Sequence, residues 1–395
     1  MKRKASGCFA ALVILSTGHL LSPAAAQDTI DAVTGFQRNP AHVAAWPGGK
    51  KVAVSFALFV EAFGFGQGPV FRPDLASRNP DLVNEAFREY AIHWGIARVG
   101  RLFKELGVPL SVVLNAEFPQ KYPLVWKEFR ATQPKAPIIA HGINNTSQLL
   151  PLGRGLAEQK AYIRRTLDVI AGAAGARPGG WSSPSVYSNG DTMQAIAAEG
   201  ITYTLDQMDS DIVSRLATPD GPVVLLPYPV VTVDMGQHLA RMKTPVEVEG
   251  VWLDYISELT SEARADPERE ATTVVIGIHP FVVGTPDGAA ALRRVLMRFK
   301  MDDAVWLTDT ESTLNAANLI NNYQGFAGRT AMHRGVTDTP LRFSPRPRPR
   351  RRPALVFLEQ TLGQSLVPMP SRPACRRQCD ARGHPSSGRH CVRDP

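Results

Sequence analysis

Short apolar runs alternate with longer amphipathic stretches between residue 51 and about residue 317. The short runs are rich in Val, Ile and Leu with few polar positions, which is typical of strands buried on both faces. The runs that predict strands are Val52–Val60, Leu110–Asn115, Pro137–Ala140, Gly180–Ser183, Thr202–Asp206, Val223–Pro227, Thr273–Ile278 and Ala304–Thr308.

The stretches between these runs carry apolar residues at helical spacing. They predict helices over Asn84–Leu106, Leu156–Ala171, Asp191–Glu199, Val248–Arg264, Gly288–Phe299 and Asp309–Ile320, with Asn84 and Asp309 as the first caps of their helices. Strands that alternate with helices indicate a parallel sheet covered on both faces. About eight strands favour a closed or nearly closed barrel, with an open doubly wound sheet as the alternative.

The first 26 residues have the pattern of a secretory signal peptide. Three basic residues, Lys2, Arg3 and Lys4, precede an apolar run that ends near Leu21, and Ala24-Ala25-Ala26 forms a small-residue cleavage site. An uncleaved membrane anchor is the alternative. We expect a periplasmic or secreted protein whose mature form has no membrane segment.

The C-terminal segment 326–395 has a different composition, and we expect it to be a disordered Arg/Pro-rich tail. Residues 341–395 contain twelve Arg and three acidic residues, and the first 26 residues add three basic ones. A total charge of +8 therefore leaves about −4 for residues 27–340, which gives no basic patch for nucleic acid. Cys375, Cys379 and Cys391 could form a zinc knuckle with nearby histidines, but their spacing matches no common finger.

Polar residues collect where the predicted strands end. In a (β/α) barrel the loops after the strands open on one face, and reactive side chains gather there. The residues at these ends are Glu61, Asn115, Glu117, His141, Trp181, Ser182, Asp206, Asp209 and His279. Two histidines at strand ends, each followed at once by a turn residue, favour a catalytic role over a purely structural one.

Several motifs in order resemble the polysaccharide deacetylase (NodB-homology) superfamily, most closely its metal-independent, allantoinase-like branch. They include Trp46-Pro47-Gly48-Gly49-Lys50 before the first predicted strand, Ile139-Ala140-His141-Gly142, Arg177-Pro178-Gly179-Gly180-Trp181-Ser182-Ser183-Pro184, and Ile278-His279-Pro280. The resemblance spans about residues 46–315. It implies a distorted (β/α) barrel, often of seven strands, and with the strand pattern above we expect seven or eight parallel strands in a single domain over residues 27–325.

At the positions of the metal ligands, this chain differs from the metal-dependent members of the superfamily. Metal-dependent members have an Asp pair at the end of the first strand and a His-x-x-x-His motif after the third, and one Asp and both His bind the metal. In this chain the corresponding positions hold Phe59, His141 and Asn145. Phe has no ligand atom, and Asn offers only a neutral amide oxygen. We therefore expect no catalytic metal and no cofactor.

Without a metal, the resemblance assigns the chemistry to three residues. Glu61 is the expected base that activates water, and His279 is the expected acid for the leaving nitrogen. His141 is expected to orient the substrate or stabilise the oxyanion. For Glu61 and His279, a rim salt bridge and a structural histidine are the respective alternatives.

Four further residues are expected to bind substrate: Arg177, Trp181, Asp206 and Asn145. Arg177 could hold a carboxylate, or it could form an ion pair that braces a loop. Trp181 could stack on a flat or sugar-like ligand, or it could belong to the barrel core.

The sequence thus predicts an exported hydrolase of a non-peptide carbon–nitrogen bond. Its substrate would be a glycan or small molecule, either an N-acylated sugar or a small cyclic amide. One alternative is a catalytically inactive relative that binds carbohydrate or a small molecule. Another is a metal-dependent deacetylase with ligands such as His93, Asp206 or Asp209. The sequence indicates no nucleic-acid partner and makes no prediction of the oligomeric state.

Overall fold

All eight predicted strands are present, and each begins and ends within two residues of its predicted bounds. The structure is a computed structural model that describes residues 29–319, so the predicted signal peptide and the predicted tail with its cysteines lie outside the described residues. The strands are β1 (Thr29–Ile30), β2 (Gln37–Pro40), β3 (Val52–Val60), β4 (Ser111–Leu114), β5 (Ile138–Ala140), β6 (Gly180–Trp181), β7 (Tyr203–Gln207), β8 (Ser214–Thr218), β9 (Gly221–Pro227), β10 (Thr272–Ile278) and β11 (Val305–Thr308).

Eight of these strands run parallel, in the order β10-β3-β4-β5-β6-β7-β9 with β11 beside the first half of β3. The two ends of this path, β9 and β10, contact each other, although no ladder joins them in the part of the chain that the structure describes. The sheet therefore curls into a distorted (β/α) barrel, as expected. β8, β2 and β1 extend it beyond β9 as an antiparallel edge.

Alternate residues of each strand face opposite layers, because side chains in a strand point to the two faces in turn. Along β3, Val52, Val54, Phe56, Leu58 and Val60 pack in the layer between sheet and helices. Ala53, Ala57 and Phe59 pack in a second cluster inside the barrel. This alternation decides which strand-end residues face the barrel interior.

The helices surround the sheet. They are α1 (Leu82–Tyr90), α2 (Ile96–Leu106), α3 (Phe118–Lys121), α4 (Pro123–Thr132), α5 (Gly155–Ala174), α6 (Gly190–Ala198), α7 (Pro245–Ala265), α8 (Pro286–Met301) and α9 (Thr310–Ala316). The cap predicted at Asp309 is confirmed, since its side chain accepts a hydrogen bond from the Ser312 amide at 2.8 Å. Among residues 29–319 no helix is both long enough and apolar enough to cross a bilayer.

The first predicted helix is interrupted. A π-helical turn at Ala91–Gly95 separates α1 from α2, and the N-cap is Asp81, not Asn84 as predicted. Asp81 accepts from the Asn84 amide at 3.2 Å. The π turn lies where the chain passes the loop after β10: a Cβ on Gly95 would stand 2.1 Å from the Pro280 carbonyl oxygen. This close approach requires glycine and brings α2 against the loop that follows His279.

The pattern did not predict β1, β2, β8, α3 and α4. The three strands are short or carry polar residues in their edge positions, such as Gln37, Arg38 and Arg215, so they lack the apolar runs of the central strands. The helices α3 and α4 are short, and each has a proline in its first turn.

Candidate active site

Four polar side chains come together at the mouth of the barrel because they continue the inward-facing series of their strands. Phe59, Val113, Ile139 and Val275 belong to the interior cluster. Two positions after Phe59, Val113 and Ile139 come Glu61, Asn115 and His141, and four positions after Val275 comes His279. All four polar residues are buried. Because side chains alternate between the two faces of a strand, one carboxyl group, one amide and two imidazoles lie together at the barrel mouth.

Above these residues opens a cavity of about 710 Å³. Glu61, His141, Asn145 and His279 all line it, so the structure brings four of the seven predicted site residues together. A cavity of this size suits a small-molecule ligand.

The Glu61 carboxylate lies between the two imidazoles. Its Oε1 atom is 3.7 Å from Nε2 of His141, and its Oε2 atom is 3.9 Å from Nε2 of His279. Oε1 also accepts a hydrogen bond from Nδ2 of Asn145. Oε2 is buried and has no hydrogen-bond partner among residues 29–319. A buried carboxylate oxygen without a partner is uncommon and is a candidate for chemistry.

Asn115 fixes the orientation of this group. Its Oδ1 atom accepts from the Ala62 amide at 2.8 Å, so its Nδ2 atom must be the donor to the His141 carbonyl and to Oδ1 of Asn145. Asn145 therefore turns its Nδ2 towards Glu61 and towards Nε2 of His141, which lies 3.2 Å away. The amide presents hydrogens, not an oxygen, to the site.

His141 is held in one tautomer. Its Nδ1 atom lies 2.7 Å from the Ser182 carbonyl oxygen, which can only accept, so Nδ1 carries the proton. In the neutral ring, Nε2 is then an acceptor and receives the Asn145 amide. The Nε2 lone pair of His141 is therefore occupied by the hydrogen bond from Asn145.

His279 is held by Asp234, a fully buried residue. One oxygen of Asp234 lies 2.6 Å from Nδ1 of His279, and the other accepts from the His279 amide at 2.7 Å. Burial alone would lower the pKa of His279, but the carboxylates of Asp234 and Glu61 outweigh it and raise that pKa above its ordinary value. The two carboxylates therefore stabilise the imidazolium form of His279, whose Nε2 atom lies 3.9 Å from Oε2 of Glu61.

Phe59 occupies the space between the two histidines. Its ring stacks on His279 with centroids 4.5 Å apart, and it meets His141 edge-on at 5.2 Å. The side chain that replaces the expected metal-binding carboxylate is therefore an apolar spacer that covers one face of His279.

These side chains do not fit the metal of the metal-dependent deacetylases. Phe59 supplies no donor atom, and the Nε2 lone pair of His141 already accepts a hydrogen bond from the Asn145 amide. A cation at Nε2 of His141 would meet the hydrogens of that amide. Across residues 29–319, no group of three or more His, Cys, Asp and Glu side chains could hold a metal ion.

Tyr228 and Asp234 are site residues that the sequence did not assign. Tyr228 follows β9, lines the cavity and lies 6.1 Å from Phe59, measured between ring centroids. Burial raises the pKa of Tyr228 well above its ordinary value, so it stays a neutral O–H donor. It continues the inward series of Val224 and Leu226, so strand alternation could have found it. Asp234 lies in a loop, where no regular alternation of apolar and polar residues could have predicted its position.

Three residues predicted to bind substrate do not line this cavity. Arg177 precedes β6, at the opposite end of the barrel from the mouth, where it pairs with Asp168 at 3.1 Å and remains partly exposed. Trp181 is fully buried in the layer between sheet and helices. Asp206 lines a neighbouring cavity and accepts from the Ser183 amide at 2.9 Å.

The proposed alternative metal ligands are dispersed. His93 lies in the π turn after α1, largely exposed and 3.7 Å from Glu89. Asp209 forms an exposed ion pair with Arg38 at 3.0 Å. Neither lines the main cavity.

The loop after β6 forms one wall of the cavity in a strained conformation. Ser185 and Val186 have φ of 57° and 55°, and both line the cavity. A β-branched residue in the left-handed region is rare, because its Cβ crowds the backbone. Such conformations persist where the surrounding structure enforces them, often at ligand sites.

No protein-family model and no curated protein sequence matches the chain, whereas solved structures do. Puue allantoinase aligns with a TM-score of 0.62 at 23% identity, covering 76% of this chain and 100% of its own. A probable polysaccharide deacetylase from Pseudomonas aeruginosa PAO1 aligns with a TM-score of 0.60 at 23% identity, over 72% of this chain and 95% of its own. A protein described as a polysaccharide deacetylase, from Mycobacterium smegmatis, gives 0.58 at 22% identity, over 80% and 100%. The chain therefore has the fold of the polysaccharide deacetylases and of Puue allantoinase, as its resemblance to that superfamily implies.

Proposed function

We propose that this chain is an exported hydrolase of a non-peptide carbon–nitrogen bond and that it cleaves an amide without a catalytic metal. The observation that carries the proposal is the Glu61 carboxylate, buried at the cavity floor between Nε2 of His141 and Nε2 of His279. The N-terminal signal pattern supports export.

Glu61 is the general base. Asn145 holds Oε1 by a hydrogen bond, which leaves Oε2 free to take a proton from a water molecule. As the proton moves to Oε2, the water oxygen forms a bond to the amide carbonyl carbon. A positioned carboxylate of this kind contributes about 10²- to 10⁴-fold to the rate.

His279 is the general acid. The carboxylates of Asp234 and Glu61 raise the pKa of His279, which extends the pH range in which Nε2 carries a proton, and Asp234 holds the ring through Nδ1. When the carbon–nitrogen bond breaks, Nε2 gives its proton to the leaving nitrogen. The proton held by Glu61 then passes to His279, which restores both residues. One water is consumed, and a carboxylic acid and an amine are formed, on one molecule if the amide was cyclic.

The developing oxyanion needs a neutral or positive donor. Tyr228 lines the cavity, and burial raises its pKa so that the phenol stays protonated and able to donate. His141 has its proton on Nδ1, bound to the Ser182 carbonyl, so in this tautomer it has no N–H for the oxyanion. We therefore assign His141 to orientation of Asn145 and Glu61, and the oxyanion to Tyr228.

The direct test is turnover by the full chain of allantoin, a cyclic imide and N-acetylated chitooligosaccharides, beside the Glu61→Gln variant. The proposal expects hydrolysis of at least one amide and a loss of about 10²-fold or more in kcat in Glu61→Gln. Glu128→Gln, on the exposed face of α4, is the matched control and should keep the wild-type rate. Ligand binding without turnover of any substrate would replace this proposal with an inactive binding protein.

A further inference from the structure

We infer that one water molecule binds in a small cavity between Glu61 and Arg88, and that Arg88, acting through this water, is a positioning residue for Glu61. The water site follows from the contacts of these two side chains. The role of Arg88 rests on the proposed amide hydrolysis, because it concerns the base of that reaction.

The small cavity adjoins the main cavity at Glu61. Glu61, Phe59 and Phe63 line both cavities, whereas the rest of the small cavity is formed by α1, the π-helical turn after it, Tyr122 and the loop after β10. The small cavity has a volume of about 10 Å³. Such a volume suits a single water molecule and no larger ligand.

Two charged side chains that line the small cavity each have one atom without a partner. Oε2 of Glu61 and Nε of Arg88 are buried and have no hydrogen-bond partner among residues 29–319, and the two residues are only 8% and 4% exposed. The Nε–H group of a guanidinium can only donate, and a carboxylate oxygen can only accept. A water molecule that accepts from Nε and donates to Oε2 satisfies both atoms, which is the usual role of a buried water.

The guanidinium of Arg88 is held in place by its other nitrogens. Nη1 donates to the Pro69 carbonyl at 3.0 Å, and Nη2 donates to Oε2 of Glu85 at 2.5 Å. Because the guanidinium is planar and its donors have a fixed geometry, these two bonds also fix the direction of Nε–H. The donor of the water site is therefore pre-organised.

The charges around the small cavity favour a neutral occupant. The Arg88 guanidinium disfavours a cation, and the carboxylates of Glu61, Glu85 and Glu89 disfavour an anion. Tyr122 donates its hydroxyl to Oε1 of Glu89 at 3.2 Å, and burial raises the pKa of Tyr122, so the phenol stays neutral. Water is neutral and both donates and accepts, so it matches this lining.

The π-helical turn after α1 helps to form the small cavity. Ala91 and Ile92 belong to this turn, and both line the cavity. Single π-helical turns within helices often occur at functional sites. Ala91 is buried and has only a methyl group, so a larger side chain at this position would enter the space of the water.

The bound water completes the support of the Glu61 carboxylate. Asn145 donates to Oε1, and the water donates to Oε2. Each carboxylate oxygen has two acceptor sites, so Oε2 keeps one lone pair for the proton that it takes from the attacking water. Arg88 does not line the main cavity and therefore acts on Glu61 only through the bound water.

The first test is a high-resolution crystal structure of the full chain and of its Arg88→Met variant. The wild type should show one density peak about 2.5–3.2 Å from both Nε of Arg88 and Oε2 of Glu61. In Arg88→Met this peak should be lost and the Glu61 carboxylate should rotate. A cavity without density, a peak that contacts only one of the two residues, or an unchanged Glu61 in the variant would overturn the inference.

Steady-state kinetics test the positioning role. Arg88→Met should lower kcat about tenfold and leave KM within about twofold, because the base loses its support while the main cavity keeps its lining. Arg88→Lys retains a donor and should recover part of the loss. Arg101→Met, at an exposed position of α2, should match the wild type. Wild-type kcat in Arg88→Met, or a rise in KM alone, would overturn the role of Arg88.

A pair of variants at Ala91 tests the water with Arg88 intact, and it decides the question if Arg88→Met does not fold. Ala91→Val fills the small cavity with apolar atoms and should lower kcat as Arg88→Met does. Ala91→Ser places a hydroxyl there that can replace the water, and it should keep most of the wild-type kcat. Equal kcat values for these two variants would contradict the water site.

The two proposals fail in different ways. No turnover of any amide removes the hydrolase, and the two crystal structures then decide both the water and its effect on Glu61. Turnover with wild-type kcat in Arg88→Met removes the role of Arg88 and leaves the hydrolase intact.

Discussion

The buried Oε2 atom of Glu61 lies 3.9 Å from Nε2 of His279, and no residue in the described range gives that oxygen a hydrogen bond. The other nitrogen of His279 is bound to Asp234 at 2.6 Å. Hydrolysis of an amide needs one group that takes a proton from water and another that gives a proton to the leaving nitrogen. The free oxygen of Glu61 can serve as the first, and His279, whose pKa is raised, can serve as the second.

Asp234→Asn is expected to shift the pH dependence of catalysis. The Asp234 carboxylate helps to raise the pKa of His279, so its removal lowers that pKa. Because the acid acts in its protonated form, kcat falls as pH rises through this pKa. The variant should therefore lose activity at a lower pH than the wild type, and its rate near pH 8 should fall about tenfold or more. The pH profile of kcat measures both.

Asp254→Asn is the control, because Asp254 is exposed on α7 and should keep the wild-type profile. An alkaline limb that stays in place in Asp234→Asn would mean that His279 is not the acid.

Asn115→Asp should disturb the site while preserving its size. Aspartate can still accept the Ala62 amide, but it cannot donate to the His141 carbonyl or to Oδ1 of Asn145. Asn145 would then be free to turn its oxygen towards Glu61. We expect the free energy of unfolding to fall by about 1–3 kcal/mol, measured by urea denaturation, together with a lower kcat. Asn315→Asp, at an exposed position of α9, should change neither, and equal stabilities of the two variants would contradict the proposed network.

Gly277→Ala should displace Tyr228. A Cβ at residue 277 would stand 2.4 Å from the Tyr228 hydroxyl and 2.7 Å from its ring. The clash should cost about 1–3 kcal/mol of unfolding free energy and reduce kcat, because the proposed oxyanion donor moves. Gly250→Ala on α7 meets no heavy atom within 4 Å and should raise stability by about 0.5–1 kcal/mol. Wild-type kcat in Gly277→Ala would exclude Tyr228 from the oxyanion role.

Val186→Gly should separate stability from substrate binding. Glycine adopts a φ of 55° without strain, so we expect the unfolding free energy to stay level or to rise by up to about 1 kcal/mol. The same change removes an apolar side chain from the cavity lining, so KM for the substrate should rise severalfold. Val246→Gly, at an exposed helical position, should lose about 0.5 kcal/mol with no change in KM. A marked loss of stability in Val186→Gly would show that the wall is not strained.

The fold could be predicted because the parallel strands are buried on both faces. Such strands appear in the sequence as apolar runs, and all eight were located from these runs. The edge strands β2 and β8 pack less and carry polar residues, so they escaped prediction. The sequence predicts the N-cap at Asn84, whereas the structure has it at Asp81, because both residue types cap helices and the sequence alone does not decide between them.

The site could be predicted where strand geometry governs it. Glu61, His141 and His279 share the inward parity of their strands, and the structure brings them together with Asn145. Trp181 has the opposite parity, which places it in the layer between sheet and helices, whereas Asp206 lies where the register of β7 against β9 shifts, so strand parity does not determine its direction. Arg177 comes before its strand, not after it, so it lies at the wrong end of the barrel. The position of Asp234 depends on how its loop packs against the end of β10, and no local sequence pattern predicts that packing.

The most direct test of the central claim is the rate of amide hydrolysis by the full chain after it has been stripped of metal with a chelator and its metal content measured. The assay uses the amide that the wild type hydrolyses fastest, beside Glu61→Gln treated in the same way. The account predicts that kcat of the stripped wild type is unchanged and that zinc restores nothing further, while kcat of Glu61→Gln falls by about 10²-fold or more. A rate that is lost with the metal and returns with zinc, or a Glu61→Gln variant as fast as the wild type, would contradict it.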